Sequence, residues 1–372
     1  MGIKYTIPHL PLSYDLETKT VLKQLNLANK KLAELKGVAL TIPNENILIS
    51  TLTLQEAKES SAVENIITTQ DDLYKEELSM QNPISNAAAK EVLNYRRAMQ
   101  IGFESVKKNK LLTCNIIKLI QSELESNSAG FRTVPGTCLK NNLGDVVYMP
   151  PQEYDEIVEM MDNLEKFIND ETLSDIDPLI KLAIVHHQFE SIHPFFDGNG
   201  RTGRIINILM LVINDLLDLP ILYLSRFITR NKGRYYQLIQ AIRDKEEDNF
   251  KEWEEWILFI LKGIEETATD TISLIKSISL LMMTFKGRLR VLLGNKYKHD
   301  LLNNLFRHPY TKIEFVEKDM LITRQTASKY LEKIVEDGLL KKMKLGKDNY
   351  YINEALCQLF INQSDVKKSS KI

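Results

Sequence analysis

Ile192-His193-Pro194-Phe195-Phe196-Asp197-Gly198-Asn199-Gly200-Arg201-Thr202-Gly203-Arg204 is the stretch on which the reading of this chain turns. It is polar and glycine-rich, and apolar helical segments flank it, Pro178–Glu190 before and Gly200–Leu216 after. A polar loop clamped between such helices is held by a rigid scaffold, which suits catalysis. Gly198, Asn199 and Gly200 open the second helix. Glycines there let the backbone approach a ligand, and the free N–H groups of a first helical turn, with the helix dipole, make an anion site. Arg201 and Arg204, at i and i+3, can together hold a polyphosphate. Asp197 is a hard oxygen ligand, suited to Mg2+ bridging phosphates. His193 titrates near neutrality and suits removal of a proton from an attacking hydroxyl. Each residue alone has an ordinary explanation, as a turn or a solvated face. Together they point to nucleotide-dependent group transfer by positioning and charge neutralisation.

Outward from this loop, helical patterns dominate. Leu16–Leu35, Asn44–Lys58, Asn86–Val106, Thr113–Leu124, Tyr154–Ile168, Tyr235–Asp244 and Trp253–Ser277 all read as helices, and a short one is expected to begin at Ser60-Ser61. Gly130 to Pro151 breaks the pattern. There Asn141-Asn142-Leu143-Gly144 separates Thr137-Cys138-Leu139 from Val146-Val147-Tyr148, which is a hairpin signal. Beyond Ser279 the series is helix (Thr311–Lys318), helix (Thr323–Asp337), then a hairpin from Leu339 to Ile352 turning at Gly346-Lys347-Asp348. That is the order of a winged helix-turn-helix. The Ser/Lys-rich end, Ser364 to Lys371, reads as disordered.

A chain of 372 residues implies two or three domains. Formal net charge is −2, so the whole molecule has no pull toward nucleic acid. The charge is uneven, however: from Lys286 onward it is +8, and over residues 1–285 it is −10. The three cysteines, Cys114, Cys138 and Cys357, are too few and too scattered for a disulfide framework or a zinc site. No apolar run reaches membrane-spanning length and no signal-peptide pattern is present. Met1-Gly2 with Thr6 fits an acylation pattern only formally, and chance explains it better. The expected location is cytoplasmic, with no membrane partner.

The loop resembles the signature of the Fic family, His-x-Phe-x-Asp/Glu-Gly-Asn-Gly/Lys-Arg-x-x-Arg, with every fixed position present. The resemblance implies a mainly α protein, a Fic helical core with a β-hairpin flap, that transfers AMP from ATP to Ser, Thr or Tyr hydroxyls of proteins, itself included. It implies His193 as general base and Asp197 as ligand to Mg2+. It implies ATP held by Gly198, Asn199, Gly200, Arg201, Thr202, Gly203 and Arg204, with Arg204 at the γ-phosphate. Gly200, where kinase-like members carry Lys, favours transfer of AMP over transfer of phosphate. Thr137–Met149 stands where the family's flap holds a target peptide by strand addition. Tyr235 and Tyr236 resemble adenosine-pocket tyrosines, and core packing is the equal alternative. Arg243 departs from an Asn found in some relatives and receives no nucleotide contact.

Glu64 has two readings. Ser61-x-x-Glu64 is a capping box, with a structural task only. Ser60-x-x-x-Glu64-Asn65 resembles the inhibitory motif of Fic proteins, in which the glutamate pairs with Arg204 and occupies the place of the γ-phosphate; this reading is favoured. His186 and His187 lack zincin spacing and read as one packed and one near the surface. Trp253 and Trp256 read as core or interface. Arg324, Gln325, Ser328 and Lys329, behind a Thr323 cap, open a helix that suits either DNA or a protein partner.

The expected layout is an N-terminal helical region with the inhibitory helix over 1–95, the Fic catalytic core over 96–280, a winged helix-turn-helix over 281–360 and a disordered tail over 361–372. A homodimer is compatible with this layout. Two other functions stay open. One is a DNA-binding transcriptional regulator with a nucleotide-sensing core. The other is a deAMPylating enzyme, in which Glu64 positions water.

Overall fold

The computed structural model describes residues 5–79, 86–141, 143–245, 248–345 and 348–365. Helix α1 (Lys19–Ala39) starts at Thr18, whose hydroxyl accepts from Val21 N–H at 3.2 Å, and buries Val21, Leu25, Leu32 and Leu35 along one stripe. That stripe packs along α11 (Phe250–Leu293), a 44-residue helix about 66 Å long at 1.5 Å per residue. Helix α2 (Glu45–Val63), capped by Asn44, is enclosed on most sides, which is why it lacks a clean polar face. It is followed by α3 (Gln70–Ser79), α4 (Ala87–Asn109) and α5 (Cys114–Glu125), the last two capped by Asn86 and Thr113.

The chain then forms a small antiparallel hairpin, β1 (Leu139–Lys140) with β2 (Val146–Tyr148), followed by α6 (Tyr154–Asn169). Helices α7 (Pro178–Ile192) and α8 (Asn199–Ile213) come next and are buried along almost their whole length. Asp177 caps α7, with Pro178 in the first turn, where a missing N–H costs nothing. The short α9 (Ser225–Arg230) and α10 (Lys232–Arg243) lead into α11. After a 3-10 turn at Gly294–Lys296 come α12 (His299–Arg307), β3 (Tyr310–Thr311), α13 (Ile313–Met320), α14 (Arg324–Glu336), β4 (Lys341–Leu345), β5 (Asp348–Ile352) and α15 (Glu354–Asp365). The sheet order is β3-β5-β4, all antiparallel. The C-terminal module is thus a helix, a strand, two helices and a hairpin, closed by α15. Among the described residues no helix is long and apolar enough to cross a membrane.

Several expectations need correction. No helix begins at Ser60; Ser60 to Val63 are the last turn of α2, and Glu64 is its C-cap. Ser61 therefore cannot open a capping box, and its hydroxyl is buried without a partner. The 280/281 division is not itself overturned; it falls inside α11, whose apolar face is carried onward by buried Ile278, Met282, Phe285 and Leu289. Helix α8 ends at Ile213 and not at Leu216. Residues 361–365, placed in a disordered tail, close α15, and 366–372 lie outside the described residues. Of the expected turns, Asn142 and Gly346-Lys347 also lie outside them, and Asp348 belongs to β5.

Candidate active site

The loop between α7 and α8 joins two buried helices, so its geometry is set from below. Helix α7 ends on His193, whose backbone is left-handed at φ 48° and whose N–H donates to the Phe189 carbonyl at 2.9 Å. Pro194 cannot continue the helix. The Phe195 ring is buried against Phe131 and Phe189. Asn199 locks the loop: its Oδ1 accepts from Phe195 N–H at 2.9 Å and its Nδ2 donates to the Phe195 carbonyl at 2.8 Å. Gly198 sits at φ +77°, and a Cβ there would lie 2.4 Å from a Glu125 carboxylate oxygen, so only glycine fits. Helix α8's own bonding begins with Thr202 N–H to the Gly198 carbonyl at 2.9 Å. The N–H groups before it, at the positive end of the helix, form an anion site.

Glu64 reaches that site from the end of α2. Its Oε1 accepts from Arg204 Nη2 at 2.8 Å, while Arg204 Nε donates to the Ser60 hydroxyl at 2.8 Å and Nη2 to the Ser60 carbonyl at 3.0 Å. A Cβ on Gly200 would lie 2.4 Å from the same Glu64 oxygen. The Arg204 side chain is 2% exposed and that of Glu64 35%. Burial pushes the Glu64 carboxyl up, but the charge and hydrogen bond of Arg204, with Arg201 and Lys232, outweigh it and hold it below the usual range. Next along the chain, Asn65 accepts from Lys232 Nζ at 2.9 Å.

His193 is half-buried, with its Nδ1 enclosed and unpartnered. Burial first, then the Arg243 and Arg132 charges, push its pKa down to about 4, against opposing effects of the Glu190 backbone and Glu64. The imidazole is therefore neutral at physiological pH, the form a base requires. Asp197 is exposed, and its Oδ1 accepts from Gly198 N–H at 2.7 Å. Among the described residues no cluster of three His, Cys, Asp or Glu side chains could hold a metal. A single carboxylate beside a helix N-terminus fits Mg2+, which uses one or two carboxylates with substrate oxygens and water.

Not every expected residue converges here. Arg201 does not join Arg204. It is held by Glu91 at 2.9 Å and Glu125 at 2.8 Å. Thr202 is wholly buried, and Gly203 packs against Phe189 and Glu190. Tyr235 is a core residue, with its hydroxyl 2.8 Å from His186 Nε2, whereas Tyr236 is 45% exposed and feels the Glu64 and Arg204 charges. His186 and His187 are both buried, which corrects the surface position expected for one; α7 has no free face.

Two residues, Arg132 and Glu190, went unread in the sequence, and Arg243 was read there only as having no nucleotide contact. Arg132 is buried and donates to the His193 carbonyl at 2.9 Å and to the Pro151 carbonyl, while its N–H donates to the Pro194 carbonyl at 2.8 Å. Arg243 bonds the Ser191 hydroxyl at 3.1 Å and lies 4.0 Å from the Tyr148 ring centroid. Glu190, one turn before His193, is pushed up to about 7 by burial, against the pull of Arg204. The β1–β2 hairpin is anchored beside them: the Tyr148 hydroxyl donates to the Ser191 carbonyl at 2.8 Å and Gln240 Nε2 to the Val147 carbonyl at 3.1 Å.

Three family models match the chain: the Fic/DOC family N-terminal model over residues 22–104, the Fic/DOC family model over 111–211, and the C-terminal domain of SoFic-like protein adenylyltransferases over 281–356. The chain is 37% identical over 62 residues to the protein adenylyltransferase fic-1 of Caenorhabditis elegans, covering 16% of this chain and 12% of that protein. It is 44% identical over 72 residues to a probable protein adenylyltransferase of Aquifex aeolicus, 19% of each. These matches thus span less than a fifth of the relatives' length. In fold, it resembles the crystal structure of a Fic family protein from Desulfovibrio desulfuricans, with TM-score 0.56 and 17% identity over 92% of this chain and 97% of that one. It also resembles the Caenorhabditis elegans Fic-1 structure, with TM-score 0.52 and 19% identity over 69% of this chain and 73% of that one.

Proposed function

The chain belongs to the Fic/DOC family, and from that premise we propose that it moves AMP from ATP to a protein hydroxyl, with Glu64 holding the reaction off. One observation carries the proposal: a carboxylate lies over Gly200, on Arg204, at the open N-terminus of α8. An anion of the protein's own thus occupies a place built for anions.

With Glu64 withdrawn, the α8 N–H groups and Arg204 bind the outer phosphates of ATP. Asp197 would hold Mg2+, which would supply neutralisation of phosphate charge. Neutral His193 accepts the proton of a Ser, Thr or Tyr hydroxyl on the target. The hydroxyl oxygen then forms a bond to the α-phosphorus. The bond from that phosphorus to the bridging oxygen breaks, and diphosphate leaves with its electron pair. Arg132 holds the His193 turn, and burial, with the Arg243 and Arg132 charges, keeps its imidazole unprotonated. With Glu64 in place, the γ-phosphate has no site, and ATP binds in a pose that does not react.

The test is transfer of label from α-labelled ATP with Mg2+, to the protein itself and to lysate proteins, by the parent, Glu64→Gly, and Glu64→Gly with His193→Ala. Labelling confined to Glu64→Gly supports the reading. Absence of labelling in all three sinks it. Release of AMP from a labelled target by the parent favours the reverse reaction.

A second reading adds DNA as a partner of the C-terminal module. Exposed Arg324, Gln325 and Lys329 on α14 favour it. Glu314 beside Arg324 and Glu332 on Lys342 weigh against it by neutralising part of the basic face. Binding to duplex DNA that weakens steeply with salt supports it, and binding that is absent at low salt removes it.

A further inference from the structure

Glu64 stands between α2 and α3, and the C-terminal module holds both helices. On the α2 side, α12 packs across the helix and brings the Arg307 carbonyl within 3.3 Å of the Ser50 hydroxyl. On the α3 side, the Tyr310 hydroxyl donates to Asp71 at 2.5 Å, and the Tyr74 ring stacks on the Tyr310 ring with centroids 5.0 Å apart and planes 25° apart. Tyr310 is itself buried. Burial, reinforced by the Asp71 carboxylate, holds its hydroxyl proton on well past the usual tyrosine range.

The corner that makes these contacts is stiff. Tyr310 pairs with Ile352 in the sheet β3-β5-β4. Asn353 N–H donates to the Pro309 carbonyl at 2.8 Å, and its side chain donates to the Leu305 carbonyl at 3.2 Å. Only five residues, Asn65 to Thr69, join Glu64 to the start of α3. A carboxylate at the head of so short a span cannot leave Arg204 freely while both flanking helices are pinned.

We propose that the C-terminal module is the second half of the brake and that Tyr310 is its positioning residue: by pinning α3 through Asp71 and Tyr74 it keeps Glu64 on Arg204. The proposal rests on the reading of Glu64 as an inhibitor. Tyr310 touches no reacting group; it acts only through Glu64. Loosening it therefore raises transfer when Glu64 is present and changes nothing when Glu64 is gone.

The experiment uses the full chain and the labelled-ATP assay on Tyr310→Phe, Tyr310→Ala and Asp71→Ala, each with Glu64 intact and with Glu64→Gly. Asp71 lies on α3, so Asp71→Ala leaves the C-terminal module's own core untouched. Loss of one hydrogen bond of ordinary strength should raise labelling about five-fold over the parent. Tyr310→Ala should exceed Tyr310→Phe, because it also removes the stack. Amide hydrogen exchange over residues 60–74 should quicken in the same order. In the Glu64→Gly background all three should match Glu64→Gly alone. If Glu64→Gly labels strongly while Tyr310→Phe, Tyr310→Ala and Asp71→Ala stay as silent as the parent, the splint is overturned and the brake stands. If the substitutions change labelling equally in both backgrounds, Tyr310 acts on folding or catalysis, and the proposal is wrong. If Glu64→Gly labels no more than the parent, the brake reading itself falls and takes this one with it.

Discussion

The Glu64 carboxylate lies 2.8 Å from Arg204 Nη2, with the same oxygen only 2.4 Å from the place a Cβ on Gly200 would take. An ion pair that is 2% exposed on one side and 35% on the other is costly to break from the buried end. Glu64→Ala leaves the Arg204 guanidinium buried without its carboxylate. Discounted for the wet side of Glu64, the loss should be about 1–3 kcal/mol and lower Tm. ATP with Mg2+ should then raise Tm more in Glu64→Ala than in the parent, because the nucleotide no longer competes with the carboxylate. An equal nucleotide shift in both proteins would mean that Glu64 does not occupy the phosphate site.

Gly200 matters for the same reason. Its backbone is ordinary helix, so alanine is tolerated there, but the added Cβ would fill the space over the first turn of α8. With Glu64→Gly as background, Gly200→Ala should cut labelling about ten-fold by misplacing the phosphates, and should raise the KM for ATP. Unchanged kinetics would place the phosphates elsewhere.

The loop from His193 to Arg204 was legible in the sequence because its chemistry is contiguous: the glycines, the Asn199 lock and the helix start follow one another. The helical flanks and the hairpin were legible from periodicity and turn residues. Glu64 was reached only through resemblance, since it meets Arg204 across 140 positions. The polar run Glu59-Ser60-Ser61 imitates a helix start. In the fold it ends α2, because the Ser60 hydroxyl and carbonyl are taken by Arg204 and stay buried. The roles of Arg132 and Arg243 were invisible for a similar reason. Each sits in an unremarkable local context and acquires its role from His193 and Ser191, 61 and 52 positions away. Arg201 was misread because helical spacing puts it near Arg204 but does not reveal that Glu91 and Glu125 claim it.

Arg243 should set the acid limb of the reaction. After burial it is the largest influence holding His193 down to about 4. Removing a nearby positive charge makes the imidazolium easier to form, so the pKa rises. In the Glu64→Gly background, labelling should be flat from neutrality down to the acid edge of stability. Adding Arg243→Met should move the acid limb up by roughly one pH unit, while labelling on the neutral plateau changes less. The pH profile of initial rates checks this, and an unmoved limb would remove Arg243 from the control of His193.

The last prediction concerns α2 itself. The buried Glu56 carboxylate accepts from the Tyr95 hydroxyl at 3.1 Å, the Ser225 N–H at 3.1 Å and the Ser225 hydroxyl, tying α2 to α4 and α9. Burial pushes its pKa up to about 7 from 4.5, more than these bonds pull it down. Between those two values the folded chain keeps a proton that the unfolded chain has given up. The stability this group contributes is therefore complete below the lower value and lost as pH rises through the upper one. Glu56→Gln cannot ionise and carries no such dependence. Measured against the parent, it should gain about 2–3 kcal/mol between pH 4.5 and pH 8. Glu190 titrates in the same direction, while buried His186 and His187 and half-buried His193, all neutral, titrate in the opposite one. All four are common to both proteins and cancel in the difference. Urea unfolding of parent and Glu56→Gln at pH 5 and pH 8 reads that difference directly. A gap that does not change with pH would mean that Glu56 is ionised throughout, and that α2 is held by a charge and not by a protonated acid.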